Sequence, residues 1–179
     1  MNEASPIETA TLELKVAICG APKVGKMETL LALKKQLAAS ALQVQALPDR
    51  FAELRVDSCS PALTFVTSPG SIFFRERVRA LVLERAHAVV FIYSAAAGDA
   101  HDSVEDFHGW IQEAERLGKS WDNVPWLFVR NMLDIGQFDP LSGVIPNALN
   151  VNRLELIATQ GQGIRELMEW VLQVTGAKR

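Results

Sequence analysis

A glycine-containing loop between an apolar strand and a helix constrains the fold of this chain more than any other segment. The residues Gly20-Ala-Pro-Lys-Val-Gly25-Lys26 follow the apolar run 12–19 and open a helical pattern that extends to about Ser40. Glycine at both ends lets the backbone adopt turns that other residues resist. The spacing Gly-x-x-x-x-Gly-Lys between a strand and a helix is typical of a phosphate-binding loop. The sequence therefore predicts a strand–loop–helix unit at the start of an α/β domain.

The chemistry of this loop favours an anionic ligand. In such loops successive backbone N–H groups point inward, the helix start adds partial positive charge, and a lysine reaches the terminal phosphates. The alternative is a chance match in an ordinary turn, which the flanking strand and helix make less frequent. The candidate nucleotide-binding residues of the loop are Gly20, Lys23, Val24, Gly25, Lys26, Met27 and Glu28.

The residue after the loop lysine departs from the usual motif. That position normally carries Ser or Thr, whose hydroxyl binds the magnesium ion of a nucleotide, whereas this chain has Met27. A thioether is a poor ligand for a hard cation. Thr29 lies two residues further along the helix and is expected to point elsewhere. The sequence therefore assigns no metal-binding residue and leaves Mg²⁺ binding open.

Strand and helix patterns alternate along the chain. Asp102 and Ser103 are the expected caps of the third helix, and Trp110 falls outside its apolar stripe, which makes it a candidate surface anchor. Alternation implies right-handed crossovers, a mostly parallel central sheet with helices on both faces, and ligands beyond the carboxyl ends of the strands. We therefore predict an α/β fold of the P-loop NTPase class. Strands are expected at 12–19, 42–47, 62–66, 88–93, 126–129 and 154–158, and helices at 25–40, 71–84, 102–118 and 163–175.

Length and composition narrow the class of protein. With 179 residues, 49% of them hydrophobic, the chain suits one domain over 1–179 with a flexible segment at 1–10. The net charge of −3 and the scattered basic residues argue against a nucleic-acid partner. No apolar run suits a membrane span or a secretory signal, so we expect a soluble, cytoplasmic protein. Cys19 and Cys59 lack metal or redox spacing and are expected to pack in the core.

A second motif follows the strand at 126–129. Arg130-Asn131-Met132-Leu133-Asp134 has the spacing of the Asn-Lys-x-Asp signature that binds guanine in small GTPases, with Met132 in place of the lysine. A carboxylate at Asp134 can accept hydrogen bonds from guanine N1–H and the exocyclic amine, whereas adenine presents an acceptor at N1. Asn131 would hold the loop. The alternative is that both residues are turn formers, but together with the glycine loop they favour GTP or GDP.

The segment between these two motifs carries a family resemblance. Thr67-Ser68-Pro69-Gly70-Ser71 follows a strand where small GTPases keep Asp-x-x-Gly, whose glycine senses the last phosphate. With Ala86-His-Ala-Val-Val-Phe91, the stretch Asn123-Val-Pro-Trp and Ala158-Thr-Gln-Gly-Gln-Gly-Ile164, it resembles the Ras-like bacterial gliding-motility GTPase family MglA from about Leu14 to Val174. The resemblance implies a Ras-like small G domain and places Gly70 beside the nucleotide.

The same resemblance implies weakened catalysis. In that family an Asp-Arg pair in the first switch is followed by Thr, and the Arg and a Gln after Pro-Gly assist hydrolysis. This chain has Asp49-Arg50 followed by Phe51, and Ser71 in place of the Gln. Arg50 is therefore the candidate catalytic residue, to be weighed against a solvated loop position. Because the metal-binding hydroxyl, the switch threonine and the glutamine are all replaced, we expect weak or absent GTP hydrolysis.

Three functions follow from these motifs and the resemblance. The leading expectation is a guanine-nucleotide-binding small G protein that acts as a switch or scaffold in cell polarity or motility, with a protein partner of the roadblock type, similar to MglB. The second is a GTPase that uses Arg50 and a residue supplied by a partner. The third is a pseudo-GTPase that binds no nucleotide and serves as an interaction module, for which Met27 is the main argument.

Overall fold

The computed structural model describes residues 13–37, 51–68, 75–147 and 151–179. The predicted strand at 42–47 and the expected flexible segment at 1–10 lie outside these ranges. The described strands are β1 Glu13–Cys19, β2 Ala52–Val56, β3 Ala62–Thr67, β4 Ala86–Ser94, β5 Trp126–Asn131 and β6 Val151–Glu155. The described α-helices are α1 Lys26–Leu37, α2 Arg75–Leu83, α3 Ala100–Arg116 and α4 Ile164–Thr175, with 3₁₀ turns at Ala97–Asp99 and Ala158–Gln160.

The six strands form one mostly parallel sheet in the order β2-β3-β1-β4-β5-β6. Only β2 runs antiparallel, paired with β3 at the sheet edge. The predicted α/β architecture with a parallel centre is confirmed. β1 lies between β3 and β4, so the glycine loop leaves the carboxyl end of a central strand. In open α/β sheets, ligands bind just outside the carboxyl ends of the strands.

Helices cover both faces of the sheet, as predicted. On one face the aliphatic side chains of β1, β3 and β4 pack against α1 and α4, with Leu33 and Leu167 fully buried. On the other face an aromatic core packs under α2 and α3, with Phe91 and Phe128 at its centre. Every residue of β4 except His87 is buried, which is typical of a parallel strand covered on both sides.

Several boundaries differ from the sequence prediction. β2 at Ala52–Val56 was not predicted, although Ala52, Leu54 and Val56 alternate with more exposed residues. β6 ends at Glu155, three residues before the predicted end. Leu156 and Ala158 are buried, but they lie in the turn that follows the strand. The buried, apolar pattern therefore continues past Glu155, and the Leu156 N–H still donates to the Arg130 carbonyl of β5 at 2.9 Å.

The predictions for the start of α3 and for the exposure of Trp110 were wrong. The helix begins at Ala100, with Asp99 as its N-cap residue and no side-chain capping bond, so Asp102 and Ser103 lie within the first turns. Trp110 is 2% exposed and donates its indole N–H to Asp106 at 2.7 Å. The prediction failed because α2 packs across this side of α3, which buries a second row of side chains.

Candidate functional site

The two glycines of the loop are required by close contacts with distant parts of the chain. Gly20 has φ +135°, and a Cβ built there would lie 2.0 Å from the carbonyl oxygen of Ile92 in β4. Gly25 has φ +93°, and a Cβ there would lie 2.2 Å from the side-chain nitrogen of Asn131. A side chain at either position would collide with its neighbour, so the fold requires glycine at both ends of the loop.

Two residues between the glycines shape the turn in different ways. Lys23 is exposed and adopts a positive φ of 65°, which is uncommon for a residue with a side chain. Alternation of left- and right-handed residues in a loop is typical of concave backbone sites for anions. Val24 buries its side chain in the aliphatic core beside β1. Val24 therefore contributes to the loop surface only through its backbone.

Lys26 lies beneath the loop as a buried cation. It is 6% exposed, and its Nζ donates hydrogen bonds to the carbonyl oxygens of Gly20 at 2.8 Å and Ala21 at 2.5 Å. Burial lowers the pKa of Lys26 to about 8, against the opposing effect of the negative charges of Asp106 and Glu28. Lys26 is thus held in contact with the loop backbone, where its charge can meet an anion bound above the glycines.

The first turn of α1 offers little to a metal ion. Met27 is 36% exposed and presents a thioether at the position where the motif normally supplies a hydroxyl. Thr29 is fully buried, and its Oγ1 donates to the carbonyl of Gly25, four residues earlier, at 2.8 Å. The Thr67 hydroxyl at the end of β3 donates to the Ile18 carbonyl at 2.9 Å. These residues do not form an oxygen-rich Mg²⁺ site.

Asn131 connects the glycine loop to the end of β5. Its side chain is 3% exposed, its Nδ2 donates to the Val24 carbonyl at 2.8 Å, and its Oδ1 accepts from the backbone N–H of Ala158 at 3.2 Å. One amide therefore joins β5, the loop after β1 and the turn after β6. The structure brings the two sequence motifs together at one edge of the sheet, although they are 107 residues apart.

The residues after Asn131 turn away from the strand. Met132 has φ 65°, and the Ser94 hydroxyl lies 3.4 Å from its sulfur. Ser94 in turn donates to Asp99 at 2.7 Å. Asp134 is exposed on the loop that follows. Its carboxylate is therefore accessible to a ligand, while Met132 can contribute only an apolar contact.

A groove of about 590 Å³ continues from this region along the outer side of α1. Glu28, Leu31 and Lys35 line it on the helix, and Ala158 and Thr159 line it on the turn after β6. Glu28 is exposed, so its carboxylate borders the glycine loop on the side of α1. An anion bound in the loop would be attracted by the charge of Lys26 and repelled by the carboxylate of Glu28.

The sequence analysis missed a buried ion pair between α2 and α3. Asp106 is 5% exposed, accepts from Arg79 at 2.9 Å and from Trp110 at 2.7 Å, and its charge also favours the protonated form of Lys26. Gly109 allows this contact, since a Cβ there would lie 2.1 Å from the Arg79 guanidinium. The only available sequence signal was the i, i+4 spacing of Asp106 and Trp110, which does not reveal Arg79.

Two predicted site residues cannot be placed. Arg50, the candidate catalytic residue, and Gly70, the candidate phosphate sensor, lie outside the described residues. Phe51, which stands at the switch-threonine position in the family resemblance, is described and lies in the aromatic core. Cys19 and Cys59 are buried as expected, and burial raises the pKa of the Cys19 thiol.

Comparisons with known proteins add no family assignment. No protein-family model matches the chain, and no curated protein matches it significantly.

Among the described residues, no cluster of three His, Cys, Asp or Glu side chains could hold a metal ion. None of the described helices is both long enough and apolar enough to cross a membrane.

Proposed function

We propose that this chain is a guanine-nucleotide-binding domain of the small-G-protein type, with GTP or GDP phosphates in the loop Gly20–Lys26. The observation that carries the proposal is the bridge made by Asn131, which bonds Val24 in the loop and Ala158 in the turn after β6. This bridge sets a phosphate cradle and a base-binding loop side by side, with the buried Lys26 amine under the cradle. A nucleotide needs both subsites at a fixed separation.

Guanine is the base that Asp134 favours. The carboxylate is exposed at the end of β5 and only accepts hydrogen bonds. Guanine offers two donors on one edge, N1–H and the exocyclic amine, whereas adenine offers an acceptor at N1 and would leave the carboxylate unpaired. Met132 supplies apolar contact where small GTPases use a lysine. We therefore expect preserved base selectivity with reduced affinity.

Hydrolysis is proposed to be weak or absent. Met27 offers no hydroxyl to Mg²⁺, Phe51 is buried in place of a switch threonine, and Ser71 replaces the glutamine that orients water. Each of these parts normally contributes orders of magnitude to the rate of phosphoryl transfer. Arg50 remains the proposed catalytic residue. The domain would then act by binding, as a switch or scaffold in cell polarity or motility, with a roadblock-type partner similar to MglB.

Competitive titration tests the proposal directly. Fluorescent GDP and GTP should bind, with ATP competing at least about tenfold less effectively, because Asp134 pairs with guanine alone. Asp134→Asn should lose guanine and gain xanthine nucleotides, since the amide can donate to the carbonyl that xanthine carries in place of the amine. Asp122→Asn, on the exposed turn before β5, is the matched control and should change neither. Equal binding of ATP and GTP would reject the guanine assignment.

A nucleotide-free interaction module is the second candidate, and two observations favour it. Met27 is exposed where the motif normally supplies a hydroxyl for Mg²⁺, and the Lys26 amine donates to two carbonyls of the loop itself. Denaturing the purified protein and analysing the released small molecules by chromatography separates the two candidates. Stoichiometric GDP or GTP excludes the module. A single-turnover assay with a roadblock-type partner then tests the remaining candidate, a partner-activated GTPase.

A further inference from the structure

An apolar cleft lies beside the loop 132–147, which follows β5, and outside the proposed nucleotide site. It has a volume of about 640 Å³ and lies between the first turns of α3 and the loop 132–147. His101, Val104 and Glu105 line it on the helix, and Phe138 and Pro140 line it on the loop. We refer to these five residues as the α3–loop cleft.

The loop that forms the cleft exposes an unusual amount of apolar surface. Among the described residues, the large hydrophobic side chains counted as exposed are Met27, Leu31, Leu81, Ile135, Phe138 and Val144. Three of these six belong to the loop 132–147, with Ile135 70% exposed and Phe138 49% exposed. Single exposed apolar residues need no explanation, but their concentration on one short loop beside a cleft indicates an interaction surface.

Phe138 is exposed because the backbone fixes it there. Its N–H donates to the Ala95 carbonyl at 3.0 Å, which ties the loop to the end of β4. The Gln137 side chain donates to the Leu133 carbonyl at 3.0 Å, and the Leu141 N–H donates to the Asp139 carboxylate at 3.2 Å. A preformed loop loses little conformational entropy on binding, so an exposed aromatic on it is well suited to anchor a partner.

The charge of the two segments around the cleft has one sign. Residues 95–110 and 132–147 contain no Lys or Arg. Their carboxylates are Asp99, Asp102, Glu105 and Asp106 in the first segment and Asp134 and Asp139 in the second. Asp106 is paired with Arg79 in the interior, and Asp102, Glu105 and Asp134 are exposed. Two cations reach the loop from β5 and β6, but Arg130 and Arg153 donate to the Gln137 and Ile145 carbonyls, neither of which lines the cleft. The segments that line the cleft therefore give it an apolar centre with an acidic surround.

We infer that the α3–loop cleft binds a segment of a partner protein that presents a bulky apolar side chain flanked by Lys or Arg. Such a side chain fits the apolar centre against Val104 and Phe138, and the basic neighbours match the acidic surround, which favours association and specificity. Nucleic acid and anionic bilayers carry the same sign of charge as the surround and would be repelled. The inference does not depend on nucleotide binding.

A pair of synthetic peptides tests this inference on the full chain. One is an amphipathic helix of leucine and lysine, and the other replaces every lysine with glutamate. The basic peptide should bind and shift the NMR signals of Val104 and Phe138, and its affinity should fall as salt is raised. The acidic peptide should bind at least about tenfold more weakly. Equal binding of the two peptides, or shifts elsewhere on the surface, would overturn the inference.

Substitutions separate the cleft from general acidity of the protein. Phe138→Ala should weaken binding of the basic peptide about tenfold, and Asp102→Asn with Glu105→Gln should weaken it about threefold and flatten its salt dependence. Leu31→Ala removes a comparably exposed apolar side chain on α1 and should leave binding unchanged. Thermal melting verifies that each variant folds. Unaltered binding in Phe138→Ala would sink the proposal.

Other occupants of the cleft give distinguishable results. Leu81 is exposed between the exposed residues Arg77 and Arg85, so a second copy of this chain could present the required chemistry. Sedimentation equilibrium tests this, and self-association that Phe138→Ala abolishes would replace the partner protein with a second copy. Flotation with phosphatidylcholine–phosphatidylserine vesicles tests a membrane. Binding to the vesicles that requires Phe138 would likewise contradict the inference.

Discussion

The glycine loop and the first turn of α1 are adjacent, but the fold constrains their residues to different degrees. In the loop, Gly20 and Gly25 are enforced by contacts with Ile92 and Asn131, and Lys26 is buried beneath them. In the first turn, Met27 and Glu28 are exposed. The loop depends on backbone shape, which the fold itself requires. The side chain of Met27 is partly exposed, so the fold does not constrain which residue stands there.

This difference means that the shape of the glycine loop does not depend on which side chain stands at the position of Met27. A side chain at Gly20 would collide with Ile92 of β4 and one at Gly25 with Asn131 of β5, whereas the partly exposed side chain of Met27 can be changed at little cost to the fold. Stability and chemistry are therefore separable at this site. Four substitutions or conditions test that separation.

The largest effect is expected for Gly20→Ala. The new Cβ would lie 2.0 Å from a backbone oxygen in a central strand, at a φ that side chains resist. We expect a loss of about 3 kcal/mol or more in the free energy of unfolding, measured by urea denaturation. Gly118→Ala is the control, because it shares a positive φ but has open space around it, and it should cost about 1 kcal/mol. Equal losses would show that the contact with Ile92 does not matter.

Asn131→Ala should have the next largest effect. It leaves the Val24 carbonyl and the Ala158 N–H without their bonds to the amide in a buried setting, which should cost about 2–3 kcal/mol of unfolding free energy. Guanine-nucleotide affinity should fall as well, because the two subsites lose their connection. Asn123→Ala removes an exposed amide that bonds Ser120 and should change stability by less than about 0.5 kcal/mol. If Asn131→Ala and Asn123→Ala lower the free energy of unfolding equally, the bridge made by Asn131 does not stabilise the fold.

The pH dependence of stability tests the buried state of Lys26. Its pKa is lowered to about 8 in the folded protein from 10.5 in the unfolded chain, so above pH 8 the unfolded chain holds more protons and the free energy of unfolding rises with pH. Between pH 8 and 9 the gain should be about 1 kcal/mol. Cys19 opposes it near pH 9, because its raised pKa keeps the folded thiol protonated while the unfolded one ionises.

Lys26→Met supplies the control for this prediction. The variant should lack the rise between pH 8 and 9 while retaining the contribution of Cys19, as measured by denaturation at several pH values. Nucleotide binding should show the opposite trend in the wild type, because the neutral amine attracts phosphate poorly and affinity should fall as pH increases through about 8. Parallel pH profiles for the two proteins would contradict the assignment.

The smallest effect on stability is expected for Met27→Ser. The side chain is partly exposed at the start of α1, so unfolding free energy should change by about 0.5 kcal/mol or less. The new hydroxyl should nevertheless make GTP affinity depend on Mg²⁺, measured by calorimetry with and without EDTA. Met27→Ala has no oxygen and should show no such dependence. Identical responses of Ser and Ala would place the metal ligand elsewhere.

Much of the fold was predictable because local patterns record burial. The buried run of β4, the apolar stripe of α4 and the glycine loop were all located from sequence. β2 was missed, although its alternation was present, because a five-residue pattern between turn signals is weak evidence. Its antiparallel pairing with β3 is a tertiary choice that the pattern does not encode.

The candidate site was predictable only in part. Asn131 and Asp134 were identified from their spacing after a strand, and Lys26 from its position after Gly25. The burial of Trp110 and the ion pair between Arg79 and Asp106 were not foreseen. Both depend on how α2 crosses α3, and side-chain periodicity within one helix reports only that a face is apolar, not which helix lies across it.

Apart from β2, the sequence by itself determined the order of the described strands and helices and the position of the glycine loop, because these depend on residues within a few positions of one another. Tertiary structure alone decided that Asn131 spans from β5 to Val24 and that burial lowers the pKa of Lys26 to about 8. Hydrogen bonding and desolvation at these residues depend on groups far apart in the chain, which meet only when the sheet is assembled.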